Sequence, residues 1–247
     1  MSQLDFAVEA EISSRHLSFI ETGRSLPSRD MLLHLAELLD VPLRERNSLL
    51  IAAGFAPRFS ERPLDDPALQ TARQAVDLVL KGYEPYPAIA VDRHWTMVAS
   101  NAAVGGILAG IDPAMLQPPI NVLRLSLHPD GLASRIVNLA EWRGHLFSRL
   151  RKQIDVSGDS VLTQLLAELS EYPAPVGPLH AAHQTPAEPG FVVPFRLATP
   201  AGVLSFISTI TVFGTPVDVT LSELAVESFL PADAATAAIL NASVRQA

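Results

Sequence analysis

The first 57 residues are cut by turn signals into segments too short for anything but small helices. Breaks stand at Glu11-Ile12-Ser13, at Thr22-Gly23-Arg24-Ser25-Leu26-Pro27-Ser28 and at Val41-Pro42. Between them apolar residues recur at helical spacing, as Met31, Leu32, Leu35, Leu38 and Leu39 and then as Leu43, Leu49, Leu50 and Ala53. Ser13 and Ser28 stand where an N-cap hydroxyl accepts from the first free amides. Pro42 suits the first position of a helix, and Gly54 suits the residue just past its end. Four helices are predicted in this stretch.

The chain then changes character. Pro57, Pro63 and Pro67 fall among Arg58, Glu61, Arg62, Asp65 and Asp66, which reads as a linker over 58–67 between a first domain at 1–57 and a second at 68–247. The second domain mixes helical and strand periods. A helix is predicted from about 68 to 81 ahead of Gly82, a hairpin from 88–92 and 95–99 about Arg93-His94, and a helix capped by Asn101. Further helices follow from about 132 to 152 and from 160 to 170. After a proline-rich loop over 172–189, the runs 191–197, 203–212 and 216–221 read as strands. The expected fold is an all-α bundle followed by an α+β domain.

Charge and cysteine usage narrow the partners. A net charge of -8 is wrong for coating nucleic acid by charge alone, so any DNA contact must be local. Every basic residue except Lys81 and Lys152 is Arg, whose planar fork suits specific contacts. The lack of cysteine excludes disulfides, thiolate metal sites and a cysteine nucleophile, and suits a reducing cytoplasm, the expected location. The longest wholly apolar run, at 102–111, is about half of the ~20 residues that cross a bilayer, so no membrane partner is expected.

The spacing of Ser2-Gln3-Leu4-Asp5-Phe6-Ala7, the turn at Ala10 to Ser13, and Ser14-Arg15-His16-Leu17-Ser18-Phe19-Ile20-Glu21 is that of a helix-turn-helix. With Leu17 and Ile20 turned inward, about 100° per residue puts Ser14, Arg15, Ser18 and Phe19 on the outward face, beside His16. Arg15 can donate a bidentate pair to guanine, the serines can bond bases or phosphates, and Phe19 can touch a thymine methyl. Gln3 and Arg24 are placed to hold phosphates.

The run from Ser2-Gln3 to Pro27-Ser28, with Leu35-Ala36-Glu37-Leu38-Leu39-Asp40-Val41-Pro42 and Arg44-Glu45-Arg46-Asn47, resembles the Xre-type helix-turn-helix of bacterial transcription regulators. Leu50-Ile51-Ala52-Ala53-Gly54-Phe55-Ala56-Pro57 is similar to the MmyB-like subgroup. So are Pro87-Ala88-Ile89-Ala90-Val91-Asp92-Arg93-His94-Trp95 with Asn101, Leu127-His128-Pro129-Asp130-Gly131-Leu132, Asn138-Leu139-Ala140-Glu141-Trp142 and Phe229-Leu230-Pro231-Ala232-Asp233-Ala234. The resemblance implies a PAS-like ligand-binding module at the C-terminal end, a dimer, and double-stranded operator DNA as partner.

It also implies five helices in the first domain, the first of them ahead of Ser2-Gln3 and absent from the sequence that starts at Met1. Residues 1–60 hold six Arg against eight acids, a formal charge of -2. Without that helix, apolar surface would be exposed and Glu21 would lack the basic partner that the family supplies. The alternative expectation is a ligand-binding and dimerising module that no longer binds DNA.

For the second domain, a ligand cavity is expected against the strand at 203–212, where Ser or Thr alternates with bulky apolar groups. Trp95, Asn101, Trp142, His145, Phe206 and Thr209 are its candidate residues, with Arg135, Asn138 and His128 able to supply a polar end. A fatty acid or another small apolar molecule is the expected ligand, with no resident cofactor. His180 and His183 form an H-x-x-H pair without a third well-spaced ligand, so no metal site is expected. A triad of Ser160, His145 and Asp159 can be written down, but no nucleophile elbow, zinc-protease or P-loop motif accompanies it, and no enzyme is expected.

Overall fold

The computed structural model describes residues 2–173, 192–214, 216 and 218–244. It divides into two compact units, Met1–Leu69 with Phe213–Glu223, and Gln70–Val212 with Leu224–Ala247.

The first unit contains the four expected helices, α1 (Gln3–Glu9), α2 (Ser14–Glu21), α3 (Arg29–Leu38) and α4 (Leu43–Ala52). Each of the first three begins on a serine. Ser2 accepts from the Asp5 N–H while Asp5 accepts from the Ser2 N–H, a reciprocal cap. Ser13 caps α2 through the His16 N–H, and Ser28 caps α3 through the Met31 N–H. Pro42 occupies the N-cap of α4 and not its first turn, and Gly54 follows the helix end at φ 83°. The turn between α1 and α2 places Glu11 in the left-handed region at φ 54°, letting Glu11 and Ile12 donate back to Val8 and Ala7. Phe6, Ala7, Ala10, Leu17 and Leu35 form the core that fixes the two helices against each other.

Residues 58–62 are held within this unit. The Asn47 carboxamide accepts from the Arg58 and Phe59 N–H groups and donates to the Phe59 carbonyl. Arg44 donates to Glu61 and to Glu223, and the Val219 N–H donates to the Ser60 carbonyl. Where a strand is predicted at 216–221, a short helix, Val219–Ser222, forms instead. The Asp218 carboxylate accepts from the Thr220 N–H, and that cap outweighs the β preference of Val219 and Thr220.

The second unit begins with α5 (Gln70–Gly82) and the hairpin β1 (Ala88–Val91) and β2 (Met97–Ser100). There follow α6 (Val104–Leu108), α7 (Val122–Leu127), α8 (Leu139–Ser157), α9 (Ser160–Glu171), β3 (Phe195–Thr199), β4 (Gly202–Val212), β5 (Ala225–Pro231) and a closing helix, Ala234–Val244. The strands make one antiparallel sheet in the order β2-β1-β5-β4-β3. β1 is buried along its whole length, which is why it reads Ala-Ile-Ala-Val without a polar residue. Ile89, Val91, Leu125, Leu146, Leu150, Leu165 and Phe206 belong to one core that joins the sheet to α7, α8 and α9.

The elements differ from the sequence expectation at definite places. The long helix starts at Leu139, because Ile136 pairs with Leu197 as an isolated bridge and the chain turns at Ala133–Arg135. The helix after the hairpin starts at Val104, and Asn101 does not cap it. β5 and the closing helix, whose Asp233 accepts from the Thr236 N–H, are additional elements. The loop predicted over 172–189 and the His180 and His183 pair lie almost wholly outside the described residues.

Gly131, in the turn after α7, has no room for a side chain. A Cβ there would collide with the Leu125 carbonyl oxygen, which accepts from the Leu132 N–H. Gly131→Ala must displace backbone, and a loss of about 1–3 kcal/mol is expected. Chemical denaturation checks this, and an unchanged midpoint would show that the turn yields freely.

Candidate functional site

On α2 the outward residues are where helical geometry puts them. Leu17 is buried, Ser14, Arg15 and His16 are exposed, and Ser18 and Phe19 are half-buried. Two guanidinium groups lie over the Phe19 ring, that of Arg15 at 5.2 Å and that of Arg24 at 5.9 Å from its centroid. Such cation–π contacts hold two flexible side chains at one edge of the helix. The Arg24 N–H donates to the Phe19 carbonyl, so the turn after α2 brings Arg24 to this edge. Gln3 is exposed at the start of α1. Its Nε2 donates to Glu21 at 2.5 Å, which gives Glu21 a partner.

In the second unit a cavity of about 80 Å³ lies between the sheet and helices α6, α7 and α8. Its wall is mostly apolar, with Ile89, Met97, Ile107, Leu125, Phe195 and Phe229. Three polar side chains reach it, Ser126, Trp142 and Glu227. Trp142 donates its indole N–H to the Ser126 oxygen at 3.1 Å and packs on Phe195, with ring centroids 5.0 Å apart. Glu227, only 4% exposed, accepts from Arg149 at 2.9 Å.

Of the six expected ligand residues, Trp142 alone is on this wall. His145 stacks on Trp142 at 5.4 Å, and Phe206 lies behind Phe195 and Phe229 at 6.1 and 6.3 Å. The other three are elsewhere. Trp95 sits in the hairpin turn at φ 68°, donating its indole N–H to Gln153 while Arg149 lies over its ring at 4.2 Å. Asn101 is a buried cross-brace whose carboxamide donates to the Leu80 and Tyr86 carbonyls and accepts from the Ala88 N–H. Thr209 is an exposed residue on the β4 face opposite Leu204 and Phe206, bonded to Ser228 at 2.7 Å.

The proposed polar end is likewise spent on structure. Arg135 donates to the Ile107, Ala109 and Ala198 carbonyls, Asn138 to the Pro194 carbonyl, and His128 accepts from the Asp130 N–H. Asp159 is engaged by His94 at 2.9 Å and by the Val161 N–H that it caps. Ser126 and Glu227 are polar wall residues that sequence reasoning missed. The signal for Glu227 is an acid inside the strand-like run Ala225-Val226-Glu227-Ser228-Phe229-Leu230, since charged residues are almost never fully buried unless paired.

Burial, reinforced by the nearby Arg149 charge, holds the His145 pKa below its usual value. Glu227 and Glu141 oppose this and Lys152 adds to it. The folded protein therefore binds fewer protons here than the unfolded chain, and its stability falls as pH drops through the unfolded value of about 6.5. His145→Gln should flatten the stability profile below that pH. Denaturation midpoints measured across the range check this, and parallel profiles for parent and variant would refute it.

A helix-turn-helix with arginines beside its outer face, in a chain whose other unit holds an apolar pocket, is the arrangement of a ligand-responsive transcription regulator. The comparisons agree. A family model described as helix-turn-helix matches residues 1–46, and one described as the MmyB-like transcription regulator ligand binding domain matches residues 72–242. The chain belongs to the MmyB-like transcription regulators. No curated protein matches it in sequence. No helix among the described residues is long and apolar enough to cross a membrane, and no cluster of metal-ligating side chains occurs among them.

Proposed function

We propose that this regulator reads double-stranded operator DNA through α2, as a homodimer, and senses a small apolar molecule in the cavity of a PAS-like second domain. The observation that carries the DNA reading is the Arg15–Phe19–Arg24 cluster on the exposed edge of α2. It supplies one fork-shaped donor to base edges and one to phosphate, both partly ordered before binding. Ser14, His16 and Ser18 flank this edge, and Gln3 assists through Glu21. A dimer would place two such helices about 34–36 Å apart, on half-sites one helical turn apart.

The sensing half rests on the cavity. At about 80 Å³ it is roughly half the ~150 Å³ of an engineered apolar cavity that takes up benzene. A small apolar molecule fits, and because the pocket is open on one side a fatty acid chain has room to extend out of it. Occupancy shifts the DNA-binding equilibrium only as far as the ligand's affinity differs between the two states.

Mobility shift of the full chain on the DNA upstream of its own gene, at stated salt, tests the DNA reading. Specific retardation is expected. Arg15→Ala should weaken it by about 1–3 kcal/mol, roughly 5- to 150-fold, with the fold intact. Equal affinity for unrelated DNA would sink the reading, and an unchanged affinity in the variant would remove Arg15 from base recognition.

A further inference from the structure

We infer that two copies of this chain join along the uncovered stretch of β4, Ser208 to Val212, strand against strand and antiparallel; this deepens the homodimer reading above and rests on it. β4 outruns its neighbour. Its pairing with β3 ends at Phe206 and Phe195, because Pro194 has no N–H to offer and its carbonyl accepts from Asn138 instead. Beyond that point β4 is paired with β5 alone among the described residues. The Ala232 N–H donates to the Ser205 carbonyl, so Ser205 turns its backbone toward β5, and alternation turns Ile207, Thr209 and Thr211 the same way. Ser208, Ile210 and Val212 therefore direct their N–H and C=O groups away from β5, where no described residue meets them. Ile207, Ile210 and Val212 are 37%, 47% and 63% exposed.

A row of outward backbone donors and acceptors takes an extended chain, and natural edges are guarded against this by lysine, proline or a bulge. The stretch 207–212 has no charged residue and no proline, and its pairing with β5 runs without a bulge. It suits a copy of itself. A two-fold axis at Ile210 sets Ile210 against its counterpart and Ser208 against Val212 in both directions, so each opposed pair exchanges two backbone hydrogen bonds. An axis at Thr209 or Thr211 leaves Val212 or Ser208 without an opposing free residue. The register at Ile210 also brings Thr209 beside Thr211 of the other copy, a threonine pair of the kind that stabilises antiparallel strands. Charge favours the same seam. Two chains of net charge -8 repel each other over most of their surfaces, whereas along this stretch no like charges meet. The two five-stranded sheets become continuous.

Sedimentation of the full chain and of Ile210→Pro tests this. Proline removes the outward N–H of Ile210 and leaves the ladder to β5 in place, a change that edge strands tolerate. The parent is expected to be a dimer, and the variant should dissociate at least about tenfold more readily, since each dimer loses two hydrogen bonds. Cross-linking gives a second readout. The chain has no cysteine, so the thiol of Ile210→Cys can link only to another copy, and opposed Cα atoms about 5.5 Å apart lie within disulfide reach. Under oxidation Ile210→Cys should give a covalent dimer, whereas Val203→Cys, equally exposed on β4 but opposite Ala198 of β3, should not. If the parent is a dimer, Ile210→Pro holds together as well and Ile210→Cys does not link, the inference is overturned while the homodimer reading stands. If the parent is a monomer and Ile210→Cys does not link, both fall. The cross-link decides even if Ile210→Pro fails to fold.

Discussion

Trp142→Ala is expected to cost about 3–5 kcal/mol of folding stability, the range for removing a large aromatic side chain from a core. The indole is 3% exposed, packed between His145 and Phe195, and it closes one side of the cavity. Its removal merges the vacated volume with the existing 80 Å³ and leaves the Ser126 oxygen without its donor. Trp142→Phe keeps most of the packing and loses the hydrogen bond, so it should cost far less, about 1 kcal/mol for the bond plus a share of the volume. Urea denaturation of the two variants separates the terms. A loss below about 1 kcal/mol for the alanine variant would mean that the neighbouring rings collapse into the space. The same variant should admit bulkier apolar molecules than the parent, which calorimetric titration of both with alkanes of graded length measures.

Arg149→Leu is expected to be comparably damaging, at about 3–5 kcal/mol, for an electrostatic reason. Glu227 lies in the central strand β5 and keeps Arg149 as its donor at 2.9 Å. Deleting the guanidinium strands an acid in the core and also uncovers the Trp95 face on which it lies. Removing both partners avoids the unpaired charge. The double variant Arg149→Leu with Glu227→Leu should recover most of the loss, because apolar replacement of a whole buried pair is often close to neutral. A double-mutant cycle measures this. Additive losses would show that the two residues do not depend on each other.

Much of the first unit was legible because its determinants are local. A serine three residues before an amide, a proline that stops one helix and starts the next, and Leu17 and Ile20 at helical spacing each act within a few residues. The outward placement of Ser14, Arg15 and His16 followed from the same periodicity. The bond between Gln3 and Glu21 was not legible, since it joins residues eighteen apart across a turn. In the second unit the hairpin, α9 and β4 announced themselves by period and by turn residues, whereas β5 did not. Glu227 and Pro231 interrupt its apolar pattern, and the strand becomes intelligible only when Arg149 from α8 is set beside it.

The sequence by itself determined the helix-turn-helix, its exposed arginines and the mixed α and β character of the second domain, because caps, turns and side-chain periods are local energies. Tertiary structure alone decided which side chains line the cavity. Trp95 and Asn101 lie in stretches that resemble the ligand module, yet packing turned one into a hairpin brace and the other into a backbone clamp. Glu227 reached the wall through the pairing of β5 between β1 and β4. Burying that acid is tolerable only with a partner distant in sequence, a nonlocal balance of desolvation against pairing that no window of residues contains.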